Sequence, residues 1–225
     1  MEMKKYSSLV ILFIFIFFII PGIAGGQGQK ETPSRGSSGR AITATAAAPE
    51  KDFQQARESF LRKELKTSAE AIRQAASYLK SLEQKAAEKR EQSFVESIES
   101  LRQLADRVEK GTVKSVKEPD RVFSRVHQTL AQHHYLNATE TWAKKETTRA
   151  GQELRAATDS LENALKRAGK KVEKGAHTTI RETRRLAGKM IEGAAIASAE
   201  VEKGIAVLGK EIDQLAKKVK PPKSK

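Results

Sequence analysis

Cysteine is absent from all 225 residues. Its absence excludes disulfide staples, thiolate metal sites, a C-x-x-C-H haem attachment and a lipoprotein attachment thiol. Aromatics are also scarce, at 5% of the chain. Beyond the amino-terminal segment they are Phe53, Phe60, Tyr78, Phe94, Phe123, Tyr135 and Trp142. Aromatic side chains supply much of the buried area of compact domains, so Leu/Ala-rich helices packed side by side are expected instead of a thick globular core. Acidic residues are the minority charge, 28 against 42 Lys and Arg, for a net charge of +14.

Long apolar runs are lacking except for one, Leu9 to Ile20. Lys4 and Lys5 precede it, Pro21-Gly22 breaks it, and Gly22-Ile23-Ala24 places small residues where a signal peptidase cuts. The run is shorter than the roughly 20 residues that span a bilayer. Residues 1–24 are therefore read as a signal peptide with the mature chain starting near Gly25, and an uncleaved inner-membrane anchor is the alternative. A periplasmic or secreted protein of the bacterial envelope follows, held together without disulfides.

The positive charge is unevenly placed. Residues 25–50 carry +1, residues 51–118 carry +3, residues 119–165 are neutral and residues 166–225 carry +9. For an exported chain the natural counter-surfaces are anionic lipid headgroups, acidic polysaccharide or an acidic protein. Nucleic acid is not an expected partner.

What is present is helical periodicity. Leu61, Leu65, Ser68, Ile72, Ala75, Leu79, Leu82 and Ala86 step by alternating fours and threes, a narrow apolar seam on one side of a helix. The Gly/Ser/Thr/Ala-rich stretch 25–50 buries too little to order itself and reads as a disordered linker. The first helix is expected from about Asp52 to Lys89. A hairpin is placed near 88–93, where charge interrupts the seam and Ser93-Phe94-Val95-Glu96 has capping-box form; a single unbroken helix is the competing reading. Phe94, Ile98, Leu101, Ala105 and Val108 carry a second helix that weakens at Gly111, and Pro119 suits the first turn of a third. Asn137-Ala138-Thr139-Glu140 is another capping box, so a kink or restart is expected there. Leu154, Ala157, Leu161, Ala164, Ala168 and Val172 continue a stripe.

Residues 175–220 have their own texture, a basic amphipathic Gly/Ala-rich helix with a cap at Thr179 and a strict seam at Val201, Ile205, Leu208, Ile212, Leu215 and Val219. Ala187, Met190, Ile191, Ala194, Ala195 and Ser198 give it a weakly hydrophobic, small-residue face. Pro221-Pro222 ends it and residues 221–225 form a basic tail. Val-Glu-Lys-Gly occurs at Val108, Val172 and Val201, but the separations are unequal, so a true repeat array is not expected.

Candidate chemistry is sparse. His127, His133 and His134 cluster near Tyr135 and Trp142 and form a candidate metal set. His127 and His134 lie two turns apart on one face, so a second helix, with a glutamate for example, would have to complete the site. Gly204 to Lys210 has the outline of a phosphate loop, but Glu211 stands where Ser or Thr would hold magnesium and no strand precedes it. Ser77 and Lys80 share the Ser-x-x-Lys spacing without the accompanying motifs, and Asn137-Ala138-Thr139 has sequon form at what reads as a helix cap. Lys189, Lys203, Lys210, Lys217, Lys218 and Lys220 are the candidate contacts to an anionic surface.

The expectation is an all-α chain: signal peptide, linker, a helical hairpin or four-helix bundle core with coiled-coil-like seams over 51–174, then the basic helix. Its expected role is a non-enzymatic interaction or scaffold protein without a cofactor, with self-association through its seams. The alternative is a bundle that binds a metal or small ligand through the three histidines.

Overall fold

In a computed structural model the described residues are 37–84, 88–169 and 174–219, and all regular structure among them is helical. Seven helices follow in order: α1 (Ser37–Leu61), α2 (Leu65–Glu83), α3 (Glu88–Glu109), α4 (Lys117–Ala143), α5 (Thr147–Arg167), α6 (Lys174–Glu192) and α7 (Ser198–Val219). The proposed signal peptide lies outside the described residues, as do 25–36 of the linker and the basic tail.

The apolar seams fold as expected. Ile72, Ala75, Leu79 and Leu82 of α2 are buried, as are Phe94, Ile98, Leu101, Ala105 and Val108 of α3 and Val201, Ile205, Leu208, Ile212 and Leu215 of α7. The core divides into two clusters, one running from Phe53 to Leu130 and the other from Ala131 to Leu215. The division falls in the middle of α4, which belongs to both.

Several boundaries differ from the sequence reading. α1 begins at Ser37, inside the expected linker, and contains Pro49. The expected first helix from Asp52 to Lys89 is cut at 62–64, where Lys63 takes φ 63°. There the Glu64 N–H donates to the Ser59 carbonyl at 2.9 Å and the Lys63 N–H to the Phe60 carbonyl at 3.0 Å. This is a Schellman closure that satisfies the last carbonyls of α1. Leu61 therefore leaves the seam and stands 55% exposed. The charged stretch 88–92 does not make the next turn; it lies inside α3, and α2 has already ended at Glu83. α4 passes through Asn137–Glu140 without restarting, because the Thr139 and Thr141 hydroxyls donate back to the carbonyls of Tyr135 and Asn137 instead of capping a new helix. It ends at the same closure as α1, with Lys145 at φ 62° and the Glu146 N–H on the Thr141 carbonyl. The basic helix expected over 175–220 is two helices, divided after Gly193 at φ 74°, and the first starts at Lys174 instead of Thr179.

The unequally spaced tetrapeptides mark no repeat array, yet an internal correspondence is present at another offset. The Lys63-Glu64 and Lys145-Glu146 turns are 82 residues apart, and so are the left-handed glycines Gly111 and Gly193. At this one offset the buried positions of α6 (Ala176, Thr179, Ile180, Thr183, Leu186, Ala187, Met190) fall on Phe94, Ser97, Ile98, Leu101, Leu104, Ala105 and Val108 of α3, all buried. The buried positions of α7 fall likewise on Pro119, Phe123, Val126, His127, Leu130 and His133 of α4. The Arg107–Glu118 ion pair across one turn recurs as Lys189–Glu200 across the other. The second half thus repeats the first, and α4 serves both: its early part corresponds to α7 and its end to α1. The recurring tetrapeptides hid this, because Val108–Gly111 corresponds to Met190–Gly193 and not to either of its look-alikes.

Candidate functional site

The most distinctive polar assembly is a layer of ionic and aromatic side chains where α1, α4 and α5 meet. Glu50, Phe53 and Arg57 follow one another on α1 at steps of three and four, which puts them on one face. Asp120, Phe123 and His127 follow with the same spacing on α4, and Arg167 closes α5. Phe53 and Phe123 stack at 4.2 Å between centroids, and His127 meets the Phe53 ring edge-on at 5.2 Å. The Arg167 guanidinium lies over both rings, 5.7 Å and 5.4 Å from their centroids.

Around that apolar floor the charges are paired. Arg167 donates twice to the Glu50 carboxylate, Nη2 to Oε1 at 2.6 Å and Nε to Oε2 at 3.1 Å, in a bidentate fork. Arg167 also reaches Asp120 at 3.4 Å, and Arg57 meets the other Asp120 oxygen at 3.3 Å. His127, fully buried, donates from Nε2 to Glu50 Oε2 at 2.7 Å. Burial alone would raise the Glu50 carboxyl, but the hydrogen bonds and charges of His127 and Arg167 outweigh it and hold the group at about 2. For His127 burial dominates in the other direction and lowers its pKa below the ordinary 6.5, with Glu50 opposing and Arg167 adding. Its Nδ1 is buried without a partner; protonation there would create a buried N–H with no acceptor, so the ring is neutral.

Two turns along α4 a second pair repeats the theme. His134 Nδ1 lies 2.7 Å from Glu153 Oε2 of α5, both nearly buried. His133 packs edge-on against Phe94 and against His134, each at 5.2 Å, and its Nε2 meets the Asn137 amide at 3.2 Å.

The candidate metal set does not assemble. A glutamate from a second helix does arrive, but one for each of two histidines: His127 turns to Glu50 and His134 to Glu153, while His133 turns to Asn137. Among the described residues no three metal-ligating side chains converge. The physical reason is the seven-residue spacing, which sets His127 and His134 roughly 10 Å apart along the helix axis. Glu50 and Arg167 were missed by the sequence reading, since one was assigned to the linker and the other lay unmarked within the stripe expected to run on to Val172. The spacing of Glu50 with Phe53 and Arg57 was the available signal.

The candidate surface lysines divide. Lys203, Lys210 and Lys217 are exposed at seven-residue intervals, opposite the buried seam of α7. Lys218 is exposed beside them, Lys189 is drawn to Glu200 at 3.2 Å, and Lys220 lies outside the described residues. No described helix is long and apolar enough to cross a membrane.

The fold and this layer define an all-helical protein whose two halves repeat and share one helix. No family model matches the chain, and no curated protein or solved structure matches it either.

Proposed function

We propose that this is a non-enzymatic helical interaction or scaffold protein of the bacterial envelope, exported by its amino-terminal segment, with its helices forming a bundle. Its basic carboxy-terminal helices contact an anionic surface or a partner helix. The observation that carries this reading is the outer face of α7, where Lys203, Lys210 and Lys217 form a stripe with the apolar seam turned inward. Electrostatic attraction of such a stripe to anionic headgroups is sequence-tolerant and salt-sensitive. Trp and Phe are absent from α6 and α7, so the attachment is reversible and not anchored. The ionic layer serves the scaffold by fixing the approach of α1, α4 and α5. Co-sedimentation with phosphatidylglycerol vesicles at low salt tests the reading: binding should weaken in the K203Q/K210Q/K217Q variant and with added salt, and a protein that stays in the supernatant rules surface contact out.

A further inference from the structure

The groove between α3 and α4 carries a feature that packing does not require. Lys117, Arg121 and Arg125 stand four residues apart on one side of α4 and border a groove of about 580 Å³, floored by Leu104 and Val122. Like charges at this spacing repel along a helix, and cations near a helix amino terminus also oppose its dipole. Neighbouring acids do not neutralise the ladder. Glu118, on the same turn, is taken by Arg107 of α3, Asp120 is turned to Arg57 and Arg167, and Glu99, which keeps its charge while accepting from the Gln103 amide, forms no ion pair with the ladder. Among the described residues no ion pair forms at Arg121 or Arg125, and Arg125 Nε is buried without a hydrogen-bond partner. Burial first, and the Arg121 charge second, pull the Arg125 guanidinium below the ordinary arginine range.

The repeat supplies an internal control. The corresponding groove between α6 and α7 is lined by Leu186, Glu200, Lys203, Gly204 and Val207, the counterparts of Leu104, Glu118, Arg121, Val122 and Arg125. Ala199, Lys203 and Val207 stand where the ladder would be, so one of the three positions is cationic there, and Arg185 of α6 is the other cation lining that groove. The groove belongs to the architecture; the ladder belongs to the first half alone.

We propose that the α3–α4 groove binds a ligand carrying several phosphoryl groups, aligned along Lys117, Arg121 and Arg125. Successive rungs are about 6 Å apart along the helix, so a chain or ring bearing more than one phosphoryl group engages the whole ladder where a lone small anion engages part of it. The guanidinium forks match phosphoryl oxygens two at a time, and the apolar floor strengthens each contact by excluding water. This site is separate from the lysine stripe of α7 and stands or falls independently of it.

Tripolyphosphate is the probe, titrated calorimetrically at low salt into the full protein and into R121Q/R125Q. The expected result is a wild-type complex weakened about tenfold or more in the variant, with K203Q/K210Q/K217Q binding like wild type. Ligand-free R121Q/R125Q should melt no lower than wild type, since repulsion is relieved; a lower melting temperature would make the arginines structural and overturn the assignment. Phosphatidylglycerol vesicles distinguish the source. Vesicle binding lost in R121Q/R125Q supports a headgroup ligand, and vesicle binding retained while tripolyphosphate binding is lost supports a soluble one. Absence of tripolyphosphate binding, or equal binding by wild type and R121Q/R125Q, overturns the proposal.

Discussion

Glu50 is the carboxylate through which α1 bonds to both α4 and α5, at His127 and Arg167. Replacing it by Gln leaves Arg167, only 8% exposed at its side chain, with a single distant acid. Breaking a buried ion pair in this way costs about 2 kcal/mol here, below the usual range because Glu50 itself keeps some contact with water. Thermal unfolding of E50Q followed by circular dichroism measures it. The pH dependence has a definite sign. His127 is held below 6.5, so as pH falls below that value the unfolded chain takes up a proton that the folded chain refuses, and stability declines. Glu50, held at about 2 against an ordinary 4.5, contributes fully above pH 4.5 and loses that contribution as pH falls through 4.5 toward 2. Both groups therefore make the fold acid-sensitive. H127Q, whose amide can still donate to Glu50, should flatten the decline just below pH 6.5, while E50Q should flatten the lower one. Parallel stability profiles for the two variants and wild type would refute this account of the layer.

At the scale of the element, helix ends and close crossings decide the path. Lys63 and Lys145 occupy left-handed backbone that costs a side-chain-bearing residue roughly 1 kcal/mol, while Gly111 and Gly193 occupy it freely. K63G and K145G should each raise stability by up to about 1 kcal/mol in urea titrations, and a loss of stability in both would refute the left-handed turns. Gly151 sits at a close crossing, where α5 meets α6: a Cβ there would lie 2.7 Å from Met190 Cβ and 3.0 Å from the Ala187 carbonyl oxygen. Neither neighbour can swing aside, so G151A should destabilise by about 1–3 kcal/mol. The same substitution at Gly188, with nothing within 4 Å, is the control and should be neutral or mildly stabilising. The seams of α2, α3 and α7 were legible because alternating steps of four and three need only apolar residues to register. The breaks at 62–64 and 144–146 were not legible, since lysine sends no local signal for a left-handed turn; only the closing hydrogen bonds and the buried faces on either side compel it. The caps expected at Ser93 and Asn137 failed for the converse reason, as a Ser or Asn can ride mid-helix once neighbouring helices hold the backbone.

For the whole molecule, the shared helix α4 makes the two halves one structure, because its early turns belong to one core cluster and its later turns to the other. The ionic layer joins the halves: Glu50, Arg57, Asp120 and His127 come from the first, where Gln132, Thr139, Glu202 and Gly209 occupy the corresponding positions of the second, and Arg167 enters from α5. Gly209 instead receives the Tyr135 ring, in the place where His127 meets Phe53. Acid should therefore loosen the first half before the second, and amide hydrogen exchange across pH 7 to 4 should show α1 and α2 losing protection ahead of α6 and α7. Composition and periodicity by themselves determined an all-helical chain without covalent staples, the inward faces of its helices and the surplus of positive charge, since each depends only on residue type and local spacing. Tertiary structure alone decided where helices end at lysines, that Glu50 and Arg167 find each other across 117 residues, and that the three histidines take three different partners instead of converging on one point. Those outcomes rest on contacts between distant segments, which become energetically decisive only when burial removes water from them.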